Sequence, residues 1–195
     1  MKRQRPKRGF LDALAALQDG LSASGVPWAF IGGVAVIARG VARYTADADA
    51  TILASSVRLD AVLAVLKRRA IKPRIKQAAK FARAHQVLLL EHGPSGVPLD
   101  VSLAWLPFEE RAIRDAEQCP FGGISIRVVK VEDLLTYKLI ALRAHDLDDA
   151  ERLIALHGRR LNLTRVKQTL ADLADALDGP DRLKVLAKLV RQTAR

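Results

Sequence analysis

Leucines at positions 11, 14, 17 and 21 recur at helical spacing, interrupted by Asp12 and Asp19, and this pattern predicts an amphipathic helix packed on the domain. An apolar run at 28–31 reads as a short strand, the Gly32-Gly33 pair as a tight turn, and residues 34–39 as the first turns of a helix. An extended segment carries Asp47 and Asp49, and Ser55-Ser56 reads as the N-cap of a helix over 58–69. Residues 86–91 and 97–103 flank the turn His92-Gly93-Pro94-Ser95-Gly96 and predict an antiparallel hairpin lying beside the Asp47/Asp49 strand. A helix over 109–117 and a strand over 124–129 follow, set off by Pro120 and Gly122-Gly123. Beyond Val131 the spacing is helical throughout, over 132–143, 146–156, 163–177 and 181–192, with Gly158 and Gly179-Pro180 as breaks. The order implies an α/β fold with a small mixed sheet of about four to five strands backed by helices and followed by a C-terminal helical bundle. The expected division is an α/β core over 1–130, with a basic tail at 1–9, and a helical domain over 131–195.

Length and composition narrow this picture. The 195 residues are half apolar, enough for one substantial core, and no apolar run approaches the ~20 residues needed to span a bilayer. The basic N-terminus followed by an apolar stretch resembles a signal peptide only until Asp12 and Asp19. The single cysteine, Cys119, cannot form an internal disulfide, which suits a reducing compartment and a cytoplasmic protein without a membrane partner.

Charge changes the picture more. Lys and Arg number 32 against 21 Asp and Glu, a formal net charge of +11, which favours polyanionic partners at long range. Between Asp60 and Glu91 there is no acid, while Lys67, Arg68, Arg69, Lys72, Arg74, Lys76, Lys80 and Arg83 crowd the interval. Such a run can be a solvated face. Its place between the Asp47/Asp49 strand and the hairpin points instead to a border of the functional site, with Arg68, Lys72 and Lys76 as candidate RNA contacts. Aromatics are only 5% of the chain and show no stacking pattern, which favours backbone or shape contact over reading of single-stranded bases.

The candidate chemistry lies in the acids and the glycines. Side chains alternate along a strand, so Asp47 and Asp49 would face the same way with Cα atoms about 6.5 Å apart, a spacing from which two carboxylates can share a hard cation such as magnesium. The Gly32-Gly33 turn opening a helix offers unpaired backbone N–H groups to a phosphate. Asp100, on the second hairpin strand, either faces solvent or joins the pair as a third carboxylate. None of the three acids has a basic neighbour in sequence, and their mutual repulsion would call for a cation. Acids and glycine turn together fit metal-assisted phosphoryl or nucleotidyl transfer.

The series Gly32, Gly33, Ala35, Gly40, Arg43, Thr45, Asp47 and Asp49 resembles the signature of minimal nucleotidyltransferases of the polymerase-β-like superfamily, most closely the AbiEii/AbiGii toxin-type family. The resemblance spans about residues 28–156 and includes a lysine helix bearing Lys138, then Arg143 and the Asp146-Leu147-Asp148-Asp149 stretch. It implies a nucleotidyltransferase core in which Asp47, Asp49 and Asp100 are catalytic and bind two magnesium ions. It also implies that Gly32 and Gly33, with Arg43, Thr45 and Lys138, bind the NTP substrate. Many superfamily members carry Gly-Ser where this chain has Gly32-Gly33, so backbone N–H groups must suffice there, helped by Thr45 or Ser102. Lys138 alone could equally be a snorkelling surface lysine, Arg143 and Asp146 a structural ion pair, and Asp148 and Asp149 solvated or capping residues.

The four histidines lack metal-ligand spacing, and no glycine-lysine phosphate loop is present. The reaction expected is transfer of an NMP from an NTP to an acceptor hydroxyl. The resembled family and the basic balance favour an RNA 3′ end, tRNA above all, with the chain as the toxin-type component of a toxin-antitoxin system that has a cognate partner. The alternatives are an antitoxin that adenylylates a partner toxin protein, a small-molecule nucleotidyltransferase, and a non-catalytic nucleic-acid-binding module.

Overall fold

A computed structural model describes residues 7–53, 58–174 and 181–193. The chain begins with α1 (Arg8–Ala23), whose Ala13, Leu14, Leu17 and Leu21 are fully buried, as the leucine spacing predicts. Then come β1 (Trp28–Ile31), α2 (Gly32–Ala38), β2 (Ala48–Ile52), α3 (Leu59–Lys67), β3 (Ile71–Pro73) and α4 (Ala78–His85). The Ser55-Ser56 cap lies outside the described residues. The hairpin is formed by β4 (Val87–His92) and β5 (Val97–Leu103), followed by α5 (Pro107–Arg114), β6 (Glu117–Phe121) and β7 (Ile124–Val128). Four helices complete the described chain: α6 (Val131–Ala141), α7 (Ala144–His157), α8 (Leu163–Asp172) and α9 (Arg182–Thr193).

The strands form one mixed sheet in the order β3-β4-β5-β2-β1-β7-β6. β2 is antiparallel to β1 and parallel to β5, so the hairpin lies beside the acid-bearing strand as expected. The sheet has seven strands rather than four or five. The additional strands, β3 and β6, are its two edges, and each carries a proline, Pro73 and Pro120. Proline cannot donate to a ladder and is tolerated at an edge, so a proline that breaks the sequence pattern does not break an edge strand. α5 also begins and ends earlier than the spacing suggests. Pro107 opens it and the Glu109 carboxylate accepts from the backbone N–H groups of Trp105 (2.9 Å) and Leu106 (3.0 Å), which leaves residues 117–121 free to pair with β7.

Burial alternates along β4 and β5, so one face of the sheet is sealed and the other half open. The sealed face supplies Leu88, Leu90, Leu99 and Val101, while Asp100 and Ser102 stand on the half-open one. One cluster of buried apolar side chains runs from α1 through the sheet to Leu186 and Leu189 of α9, so the C-terminal helices share the core of the sheet. No described helix is long and apolar enough to cross a membrane.

Candidate active site

The register of the central strands sets the acids. Asp49 of β2 is paired with Ile31 of β1 on one side and with Asp100 of β5 on the other, and Asp100 is paired with Leu89 of β4. Paired residues on neighbouring strands project to the same face, so Asp49 and Asp100 rise side by side. Asp47 lies just ahead of β2, exposed, and one of its carboxylate oxygens accepts from the Thr45 hydroxyl at 2.9 Å. Burial raises Asp49 from 3.8 to about 6, helped by the charges of Asp47 and Asp100 and opposed by Lys138 and a backbone N–H of Gly33. Burial raises Asp100 as well, against the pull of Arg74.

The two glycines are needed for contact with these side chains. Gly32 has φ +60°, and a Cβ there would fall 1.9 Å from Asp49 Oδ2. A Cβ on Gly33 would lie 2.6 Å from the Thr45 hydroxyl oxygen. The turn thus wraps around the Asp49 carboxylate, with Gly33 donating its N–H to it.

Tertiary structure adds bases where sequence shows none. Arg74 forms an ion pair with Asp100, so the acids are not free of basic neighbours. Arg74 is held there by its backbone: its N–H donates to Leu89 O at 2.9 Å, and Leu89 is the register partner of Asp100. Among the described residues no three His, Cys, Asp or Glu side chains converge closely enough to chelate an ion as they stand. The donor set nevertheless fits a hard cation, being all carboxylate oxygen, with Asp49 raised by burial and further by the charges of Asp47 and Asp100, which a cation offsets.

The other expected nucleotide-binding residues meet in a buried charge network. Lys138, 5% exposed, is not a surface lysine; its ammonium donates to Asp146 Oδ1 (2.7 Å) and lies 2.8 Å from Asp149 Oδ2. Arg43 pairs with the same Asp149 oxygen, and Arg143 donates to Asp146 Oδ2 at 2.6 Å, the ion pair that the sequence offered as its structural role. Burial raises the Asp146 carboxyl, but hydrogen bonds from Lys138 and Arg143 outweigh it and hold it below the ordinary range. Asp148 is solvent-exposed and pairs with Arg152 one turn on. Asp149, by contrast, is buried rather than solvated, the residue that sequence reasoning missed. The signal was there: Asp146, Asp149, Ala150 and Leu153 share one buried face of α7 at helical spacing.

The basic run is divided among elements. Arg68 follows α3, Lys72 lies on β3 and pairs with Glu91 at 3.3 Å, and Lys76 precedes α4; all three are exposed. A cavity of about 690 Å³ opens nearby, lined by Phe10, Ile37, Tyr44 and His92, and it meets the site through Arg43 and Thr45 without including any of the three acids.

A mixed sheet backed by helices in this arrangement is a nucleotidyltransferase-like fold. The solution structure of the antibiotic-resistance factor ANT(2'')-Ia is similar, with a TM-score of 0.61 at 15% identity over 87% of this chain and 96% of that one. So are JHP933 from Helicobacter pylori (TM-score 0.52, 16% identity, 98% and 92% covered) and an antigenic nucleotidyltransferase-like protein from Paracoccidioides brasiliensis (0.53, 17%, 94% and 95%). No curated protein sequence matches the chain. Residues 15–192 match the family described as nucleotidyl transferase AbiEii toxin, Type IV TA system, and the chain belongs to that family of nucleotidyltransferases.

Proposed function

We propose that the chain transfers an NMP from an NTP to the 3′ hydroxyl of an RNA, tRNA in particular, as the toxin component of a toxin-antitoxin pair. The observation that carries the chemistry is the register of Asp49 with Asp100, two acids side by side with Asp47 at the mouth of the strand. In this reading Asp47, Asp49 and Asp100 hold two magnesium ions, which supply charge neutralisation for the triphosphate and activation of the attacking hydroxyl. The acceptor oxygen bonds to the α-phosphorus, the bond from that phosphorus to the pyrophosphate oxygen breaks, and Asp100 takes the hydroxyl proton. The Gly32-Gly33 turn, whose Gly33 N–H meets the Asp49 carboxylate, receives phosphate oxygens beside it, with Thr45. Arg43 and Lys138, held by Asp149, contribute positive charge from behind. The choice of RNA rests on the net charge of +11 and on the basic run reaching the acids through Arg74.

The test is incubation of the purified protein with magnesium, each α-labelled NTP and tRNA. Label in the RNA fraction is expected. Label only in protein when cell lysate is supplied would replace RNA with a partner protein as the acceptor.

A further inference from the structure

Arg74 occupies an acid that the proposed chemistry needs. Of the basic run, Lys72 pairs with Glu91 and Arg83 with Asp60, neither of them one of the three acids, whereas Arg74 pairs with Asp100 itself. The position is built in, because the Arg74 N–H donates to Leu89 O and Leu89 stands directly across from Asp100 in the ladder. This backbone anchor keeps the Arg74 side chain within reach of the carboxylate when the ion pair opens. Both side chains are about one-third exposed (33% and 35%), so the pair is solvent-screened and exchanges at little cost.

We infer that Arg74 is an exchanging positioning residue: it neutralises Asp100 while the site is empty and, once a divalent cation takes Asp100, turns its guanidinium to a phosphate group of the incoming substrate. This rests on the metal-dependent reading above. A guanidinium on Asp100 Oδ1 competes with a metal ion for that oxygen, and a planar guanidinium released beside the site is suited to bidentate phosphate binding. The exchange ties metal binding to substrate binding: metal without a phosphate ligand leaves Arg74 unpaired, and a phosphate ligand without metal must compete with Asp100. The phosphate can belong to the nucleotide or to the RNA backbone, and the two are separable by experiment.

The experiment titrates Mn²⁺ into wild type, Arg74→Gln, Arg74→Lys and Asp49→Asn, following the ion by electron paramagnetic resonance. A non-hydrolysable ATP analogue and a short RNA are then titrated separately with Mn²⁺ present. Arg74→Gln is expected to bind Mn²⁺ about two- to fivefold more tightly, since the competing ion pair is gone. It should bind the analogue, the RNA, or both several-fold more weakly, and the affected arm identifies which phosphate is met. Arg74→Lys, which keeps the charge but not the fork, should fall between wild type and Arg74→Gln. Equal Mn²⁺ affinity in wild type and Arg74→Gln, or unchanged affinity in both phosphate arms, overturns the exchange alone. Mn²⁺ binding that survives Asp49→Asn overturns the metal site, and the exchange with it.

Discussion

Lys138 Nζ lies 2.8 Å from Asp149 Oδ2 with both side chains almost wholly buried, and Arg43 reaches the same oxygen from the loop ahead of β2. One carboxylate on α7 thereby ties the helical half of the chain to the segment that presents Thr45 and Asp47. Lys138→Met leaves Asp146 and Asp149 buried with less compensation, and it is expected to cost about 3–5 kcal/mol. Urea denaturation of the variant measures this. A loss below about 1 kcal/mol would show that water or Arg43 and Arg143 suffice without the lysine.

Gly32 sits at positive φ with the Asp49 carboxylate in the space a side chain would fill. Gly32→Ala should cost about 1–3 kcal/mol of stability and displace Asp49, reducing nucleotidyl transfer about 100-fold. Transfer rates for folded variant and wild type decide the point; equal rates would place Asp49 outside the chemistry.

Asp49 titrates near 6 in the folded chain against an ordinary 3.8, so the folded state holds this proton more tightly than the unfolded state. Its favourable contribution is complete below pH 3.8 and is lost as pH rises to about 6. Without metal, Asp49→Asn should be more stable than wild type at pH 7 by up to about 3 kcal/mol, with the gap narrowing toward pH 4. Denaturation midpoints at the two pH values report it, and a variant less stable than wild type at pH 7 contradicts it. The same titration predicts that Mn²⁺ affinity rises as pH climbs through about 6.

Arg68 after α3, Lys72 on β3 and Lys76 ahead of α4 are all exposed, and Lys72 and Lys76 flank Arg74 in the sequence. Replacing all three by Glu should weaken RNA binding and lower the slope of log affinity against log salt by about two to three. Transfer to a small surrogate hydroxyl should be little changed. Parallel slopes with equal affinity would remove this run from the RNA path.

Local patterns account for what was legible beforehand. The leucines of α1, the β4-β5 hairpin with its glycine-containing turn and the helical spacing after Val131 each follow a periodicity set by local backbone geometry, and an element forms over most of each stretch, although α8 ends at Asp172 and residues 175–180 lie outside the described ones. The two short edge strands were illegible, because three to five residues containing a proline pair only when a neighbouring strand supplies the ladder.

The sequence alone determined the family signature, the candidate acids and the excess of positive charge, since these depend on residue identity and spacing. Tertiary structure decided the partners of those residues. It set Asp100 beside Asp49 through strand register, brought Arg74 to Asp100 through a backbone hydrogen bond to Leu89, and buried Asp149 between Arg43 and Lys138. Each of these relations joins residues from about 11 to 106 positions apart. Electrostatic partners at such separations are fixed by packing and register, and no local periodicity encodes them.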